Sequence, residues 1–96
     1  NTQVIPWLEA HRDTPFFLYL HSVDTHFPHV LKEPDNQWVD PGYDLSQLND
    51  DGSWNIFRRK DGKPYTEADK AYFRGLYDGA LHYTDRQVGI LMDYLE

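Results

Sequence analysis

Residues 16–23 read FFLYLHSV, a nearly continuous apolar run that follows Pro15 and ends at polar residues. Such a run, rich in aromatic residues, is typical of a strand buried on both faces, as in a parallel sheet with helices on each side. A buried helix is the competing interpretation, but the run is short for one. The run therefore predicts an α/β fold in which residues 16–23 form an internal strand.

The end of a helix is predicted before this strand. Residues 3–11 place Val4, Trp7 and Leu8 at helical spacing. Thr2 is the candidate N-cap, because a Thr side chain can accept a hydrogen bond from a backbone N–H of the first turn. A polar connector then leads into the apolar run.

A much longer helix is predicted over residues 66–95. Thr66 and Asp69 approximate a capping box, with the shorter acid in place of Glu. At 1.5 Å per residue this helix spans roughly 45 Å, so it needs a partner surface. Its three glycines permit the close approach of a neighbouring element. One apolar face follows the helical repeat through Tyr72, Leu76, Ala80, Tyr83, Leu91 and Leu95.

Residues 24–64 are predicted to form a long irregular loop, because they contain four prolines and three Pro-Gly or Asp-Gly turn signals. Loops of this length are usually functional or disordered, and the aromatic residues favour an ordered loop on a surface. These aromatic residues either form a platform for a sugar or aryl group or pack against the rest of the protein: Trp38, Tyr43, Trp54 and Phe57.

Composition excludes several classes of function. The formal net charge of -7 and the absence of a basic stripe argue against nucleic-acid binding, which requires basic groups to neutralise phosphates. The chain has no Cys, so disulfides and thiolate metal sites are excluded. No apolar run approaches the roughly 20 residues of a membrane-spanning helix. With a mean hydropathy of -0.75 and its apolar residues confined to a few stretches, the chain is expected to be part of a larger domain.

Titratable residues cluster where the predicted strand ends. His21, Asp24, His26 and His29 lie within HSVDTHFPH. In open α/β sheets, ligands bind beyond the carboxyl ends of the strands. Imidazoles and a carboxylate there can ligate a metal, exchange protons or hold an anion, and the spacing does not choose among these roles. Ordinary loop histidines are the remaining alternative.

Two separated blocks of sequence resemble the sulfatase family of the alkaline-phosphatase-like superfamily. The first block is PFFLYLHSVDTHFPH, whose turn Thr25-His26-Phe27-Pro28 matches the family's His-x-Pro turn. The second is LYDGALHYTDRQVGILMDYLE, which carries in the family's order Tyr77, Leu81, Asp85, Val88, Gly89, Leu91 and Leu95. Together the blocks cover somewhat more than a third of the chain.

The resemblance implies an α/β/α sandwich of which residues 1–96 are an internal segment of one catalytic domain. It implies a sulfuric-ester hydrolase in which His26 lies at the catalytic pocket and binds the sulfate group. His21, Asp24 and His29 are candidate further contacts to the substrate. Asp85 is expected to be structural, and no metal ligand is assigned to this chain.

The resemblance also implies a calcium ion and a formylglycine nucleophile in the parent enzyme. The chain contains no Cys and no C/S-x-P-S-R motif, so the nucleophile is not assigned to its residues. The resemblance implies that the calcium ligands also lie elsewhere in the parent, and the chain alone is expected to be inactive. The implied partners are a sulfated small molecule or glycan and the remainder of the catalytic domain. The compartment is unknown; family resemblance allows the periplasm, the extracellular space or the lysosome.

Two alternative functions remain open. The chain can be a segment of a related phosphonate monoester or phosphodiester hydrolase or of a phosphoglycerol transferase, because these relatives share the strand, the His turn and the helix. It can also be a non-catalytic acidic module whose histidines bind a metal or a partner.

Overall fold

The computed structural model describes residues 2–26, 31–48 and 59–96. These contain helix α1 over Val4–Ala10, a 3-10 helix over Leu45–Gln47 and helix α2 over Glu67–Leu95. The molecule is elongated, with extents of 58 × 21 × 18 Å, because α2 runs along its length. No described helix combines the length and apolar character needed to cross a membrane.

Helix α1 occupies most of its predicted range, but its N-cap prediction is wrong. The N-cap is Gln3 rather than Thr2, and no side chain caps this end. Pro6 is tolerated because it lies in the first turn, where backbone N–H groups have no partner within the helix. At the other end, Nδ1 of His11 lies 2.8 Å from the Trp7 carbonyl oxygen, and the two rings stack with centroids 4.1 Å apart.

The prediction of a buried strand at residues 16–23 is not met in this structure. The described residues contain no strand, and Phe17 and Tyr19 are 91% and 74% exposed. The neighbouring side chains Phe16 and Leu20 are less exposed, and the Phe16 ring meets Trp7 edge-on at 5.2 Å. One side of the segment therefore packs against the molecule while the other faces solvent.

The physical reason for this difference is that a strand exists only as part of a hydrogen-bonded ladder. The apolar run expresses a preference for burial in a sheet, but the described part of the chain supplies no second strand to pair with it. The alternation of exposure along residues 16–20 still has the period of two that an extended segment has.

Helix α2 begins as predicted. The Thr66 side chain accepts a hydrogen bond from the backbone N–H of Asp69, and the Asp69 carboxylate accepts one from the backbone N–H of Thr66. This reciprocal arrangement is a capping box. It satisfies backbone donors that an uncapped helix leaves without partners and so fixes where α2 starts.

A second part of the chain, residues 31–43, lies along one face of α2. A methyl group placed at Gly79 would overlap the carbonyl oxygen of Asp35, and one placed at Gly75 would overlap that of Trp38. The prediction that helix glycines permit close approach is thus confirmed for these two positions. Gly89 has no neighbouring atom within 4 Å of such a methyl group.

The opposite side of α2 faces the N-terminal part of the chain. Thr84, Val88 and Leu91 line a groove together with Val4 of α1 and residues 20–24. An α-helix turns about 100° per residue, so Thr84 points away from the face that carries the loop. Helix α2 therefore borders the groove on one side, together with residues that precede His26, and packs on the other side against residues that follow it.

Candidate functional site

His26, the predicted catalytic residue, closes a turn at the end of the apolar segment. Its backbone N–H donates to the carbonyl oxygen of Val23 at 2.8 Å, and its side chain is exposed. The turn fixes the backbone at His26, and the exposure leaves the imidazole accessible to a ligand. An accessible imidazole can donate a hydrogen bond to an anion or transfer a proton.

His21 and Asp24, two of the predicted substrate contacts, line the groove between α2 and residues 20–24. This groove has a volume of about 480 Å³, which is within the range of roughly 300–1,000 Å³ for small-molecule sites. Its walls are mainly apolar, and its polar groups come from His21, Ser22, Asp24, Thr84 and Gln87. His26 is not among the described residues that line this groove. His29, the third predicted contact, lies outside the described residues.

Local hydrogen bonds hold the polar end of the groove. The Ser22 hydroxyl donates to the Asp24 carboxylate and accepts from the Asp24 backbone N–H, the latter at 3.2 Å. Nδ1 of His21 lies 3.4 Å from the Tyr19 hydroxyl. Asp24 is thus held in a short turn by its own neighbour, as expected for an Asp that follows a strand-like segment.

An ionic cluster around Asp35, a residue that no sequence pattern singled out, joins the loop to α2. Asp35 is only 5% exposed, whereas its partners His82 and Arg86 are partly exposed. Its Oδ1 lies 2.8 Å from Nδ1 of His82, and its Oδ2 accepts from Nη2 of Arg86 at 2.7 Å. The Arg86 hydrogen bond lowers the pKa of Asp35; burial opposes this, and His82 adds to it. The carboxylate is therefore charged and paired.

A second buried carboxylate, Asp69, anchors the far end of the loop. It accepts hydrogen bonds from the Tyr43 hydroxyl and, at 3.1 Å, from Nη1 of Arg59. Burial by itself raises the pKa of Asp69, but the hydrogen bonds from Tyr43 and Thr66 and the charge of Arg59 outweigh it, so the pKa is lowered. Burial and the bond to Asp69 raise the pKa of Tyr43.

The predicted capping box describes only part of the role of Asp69, because its side chain also binds Arg59 of the loop. Arg86 likewise binds a loop residue, Asp35. One signal was available: His82 and Arg86 are four residues apart and continue the face of Gly75 and Gly79. That face predicts a contact with another part of the chain. The contacting residue, Asp35, is 47 positions from His82 in the sequence, so the pattern does not identify it.

The loop aromatic residues that are described mainly pack. The Tyr43 ring stacks on Tyr72 with centroids 4.3 Å apart, and Trp38 contacts the His82 ring at 5.0 Å while remaining partly exposed. Trp54 and Phe57 lie outside the described residues. Tyr43 thus packs against α2, as in the second of the two alternatives predicted for the loop aromatic residues, and does not form a platform for a sugar or aryl group.

The two groups implied by the resemblance, calcium and formylglycine, each place a requirement on the residues of the chain. Across residues 2–26, 31–48 and 59–96, no group of three or more His, Cys, Asp or Glu side chains is arranged to hold a metal ion. The sequence contains no C/S-x-P-S-R motif in which a Cys or Ser could become formylglycine.

Comparison with known proteins identifies one family. The family model described as Sulfatase matches residues 2–96, which is nearly the whole chain and includes His26, the groove and all of α2. No curated protein and no solved structure matched the chain.

Proposed function

Because the chain belongs to the sulfatase family, we propose that it forms part of the catalytic domain of a sulfuric-ester hydrolase. Within that domain, His26 binds the sulfate group of the substrate. The observation that carries this proposal is the family match across residues 2–96, which includes the turn that holds an exposed His26 after the apolar segment.

The chemistry of sulfate ester cleavage suits an imidazole at this position. As the ester S–O bond breaks, negative charge develops on the bridging oxygen. A positioned imidazole N–H can donate a hydrogen bond to the sulfate oxygens, and a protonated imidazole can deliver a proton to the leaving oxygen. The turn at His26 holds the backbone from which the ring extends, so only the side-chain torsions remain to be ordered when the substrate binds.

The proposal includes the strand and the sandwich that the family implies. In the complete domain, residues 16–23 join neighbouring strands, and a second layer covers the exposed side that carries Phe17 and Tyr19. Two aromatic side chains that are 91% and 74% exposed support this, since residues of this size and apolarity are usually covered.

His21 and Asp24 are proposed as further contacts to the substrate at the polar end of the groove. Their support is that both line one cavity of ligand size, together with the apolar side chains of Val88 and Leu91. His29 follows His26 by three residues and is retained as a candidate contact at the rim.

The test of this proposal is the substitution His26→Ala in the full-length protein. We expect the turnover of an aryl sulfate to fall by a factor on the order of 10²–10³, the usual cost of removing one positioned transition-state donor. The thermal unfolding midpoint should change little, because the side chain is exposed.

His11→Ala is the matched control, because it makes the same substitution at another exposed histidine, at the end of α1. It should leave turnover near the wild-type value. Wild-type turnover in the His26→Ala protein would rule out the assigned role.

The same assay distinguishes the related phosphorus-transfer activities. Sulfate, phosphonate monoester and phosphodiester substrates that share one aryl leaving group are compared by kcat/KM. A preference for the sulfate ester supports the proposed substrate class. A preference for either phosphorus ester would indicate that the parent protein is one of the related hydrolases. His26 would then donate the same hydrogen bond to a phosphoryl oxygen.

A further inference from the structure

Residues 31–43, the docked segment, lie along one face of α2. The structure describes all of them, and Asp35 alone among them is buried, while their apolar side chains are partly buried or exposed. At Gly75 and Gly79 of the helix, the nearest atoms of the segment are backbone carbonyl oxygens. Burial of apolar surface therefore contributes little to holding this segment against α2.

A carboxylate near the beginning of the docked segment makes its first attachment to α2. Asp35 lies 2.8 Å from His82 and 2.7 Å from Arg86, which are one turn apart on the helix. The side chains of these two partners are 33% and 39% exposed, so both can be hydrated if the segment leaves. The attachment therefore depends on the negative charge of Asp35, which is stable when buried only because it is paired.

A carboxylate of α2 makes the second attachment, at the other end of the docked segment. Asp69 is 3% exposed, accepts a hydrogen bond from the Tyr43 hydroxyl and pairs with Arg59 at 3.1 Å. Arg59 also lies 3.4 Å from Asp61, and burial together with the charge of Asp69 raises the pKa of Tyr65. Both ends of the segment are thus held to α2 by a buried, charged carboxylate.

From this arrangement we propose that acid releases the docked segment from α2 as one unit while α2 stays folded. Protonation of Asp35 and Asp69 removes the negative charge at both attachments, and little apolar contact remains to hold the segment between them. The Thr66 hydroxyl does not titrate and still accepts from the backbone N–H of Asp69, so the helix keeps its cap. Neither His26 nor turnover enters this inference, which is independent of the proposed function.

The direction of both pKa values sets the pH at which release occurs. The Arg86 hydrogen bond lowers the pKa of Asp35. At Asp69, hydrogen bonds and the charge of Arg59 outweigh burial, so that pKa is lowered too. A carboxyl group whose pKa is lowered by folding contributes fully above its unfolded value of about 3.9, and the contribution is lost as the pH falls through the folded-state pKa. The segment is therefore docked at neutral pH and released below about pH 4.

The first test is fluorine NMR of the full-length protein labelled with fluorotryptophan. Trp38 lies between the two attachments, with its ring 5.0 Å from that of His82, so its signal reports whether the segment is docked. Loss of the signal in Trp38→Phe assigns it. As the pH falls below about 4, the wild-type signal should move to the position that it has in urea, while the helical far-UV circular dichroism is retained.

The second test removes the two charges at neutral pH. Asp35→Asn/Asp69→Asn keeps the size of both side chains and makes them neutral, as protonation does. The population whose Trp38 signal has the urea position should rise at least about tenfold over wild type, and each single variant should release a smaller fraction. Asp40→Asn/Asp93→Asn is the matched control, because it makes the same charge change at exposed positions of the segment and of α2, and it should release none.

Two results with the variants would overturn the inference: a Trp38 signal that keeps its folded position in Asp35→Asn/Asp69→Asn, or equal release in the control. In the wild-type protein, loss of the Trp38 position and of the helical circular dichroism at the same pH would also overturn it, because acid would then unfold the molecule as a whole. The wild-type titration requires no substitution at either carboxylate, so it decides the inference even if the double variant does not fold.

Discussion

Two buried carboxylates organise this molecule at the level of single residues. Asp35 and Asp69 are 5% and 3% exposed, and each connects the loop to α2. An unpaired buried carboxylate would be strongly unfavourable. Each is tolerated because several donors surround it: His82 and Arg86 at Asp35, and Tyr43, Arg59 and Thr66 at Asp69.

The lowered pKa of Asp69 predicts acid sensitivity. A carboxyl group whose pKa is lower in the folded state than the ordinary value of about 3.9 binds fewer protons when folded than when unfolded. Its contribution to stability is therefore complete above about pH 4–5 and is lost as the pH falls through the folded-state pKa. Urea unfolding followed by circular dichroism between about pH 3 and 7 should show this loss.

Asp69→Asn should reduce this pH dependence without abolishing it, because Asn does not titrate whereas Asp35, whose pKa is also lowered, still does. It should also lower stability at neutral pH through loss of the pair with Arg59. Asp93→Asn, at an exposed position on the same helix, is the control and should keep the wild-type pH profile. An Asp69→Asn protein with the wild-type acid profile would show that Asp69 does not govern the loss.

At the level of the elements, α2 is the scaffold on which the other segments lie. Its N-terminus is fixed by a capping box, one face receives the loop at Gly75 and Gly79, and another faces the groove. Several large apolar side chains on α2 nevertheless remain exposed: Tyr77, Leu81, Val88, Ile90, Met92 and Leu95. A helix of this length is expected to pack against a partner surface, and these exposed side chains lie where the described residues leave α2 uncovered.

The packing of the loop on α2 predicts opposite effects of alanine at two helix glycines. Gly79→Ala should destabilise the chain by about 1–3 kcal/mol, because the new methyl group overlaps the Asp35 carbonyl oxygen and the Leu31 side chain. Gly89→Ala should stabilise it by up to about 1 kcal/mol, since alanine favours the helix and nothing obstructs the methyl group. Urea midpoints of the two variants measure the difference. Shifts of the same sign would contradict the close loop–helix contact.

At the level of the whole molecule, the chain is elongated and leaves one side of its most apolar segment uncovered. Phe17 and Tyr19 extend into solvent beside the turn that holds His26. In the proposed function, neighbouring strands and a second layer belong to the rest of the catalytic domain and cover this segment.

We accordingly expect the isolated 96-residue chain to be inactive towards aryl sulfates, with or without added calcium. It has no C/S-x-P-S-R motif to provide a nucleophile, and its described residues have no cluster that could hold a metal ion. Release of the aryl alcohol is followed against buffer, with the full-length protein as the positive control. Turnover by the isolated chain above the rate in buffer would contradict this expectation.

The amino-acid sequence by itself determined the features that depend on neighbours along the chain. The capping box at Thr66 and Asp69, the course of α2 and the turn at His26 follow from residues at most a few positions apart, because helix and turn hydrogen bonds are local. The family resemblance also followed from the sequence, since it depends on the order of two motifs, and the family match confirmed it.

Only the tertiary structure decided what depends on distant partners. The sequence predicted a buried strand at residues 16–23, but a ladder requires a second strand, which the described residues do not provide. It gave no sign that Asp35 would pair with His82 and Arg86, about fifty positions away. A charged residue reads as solvated until its partner is known, because burial and pairing are properties of the folded arrangement rather than of the local sequence.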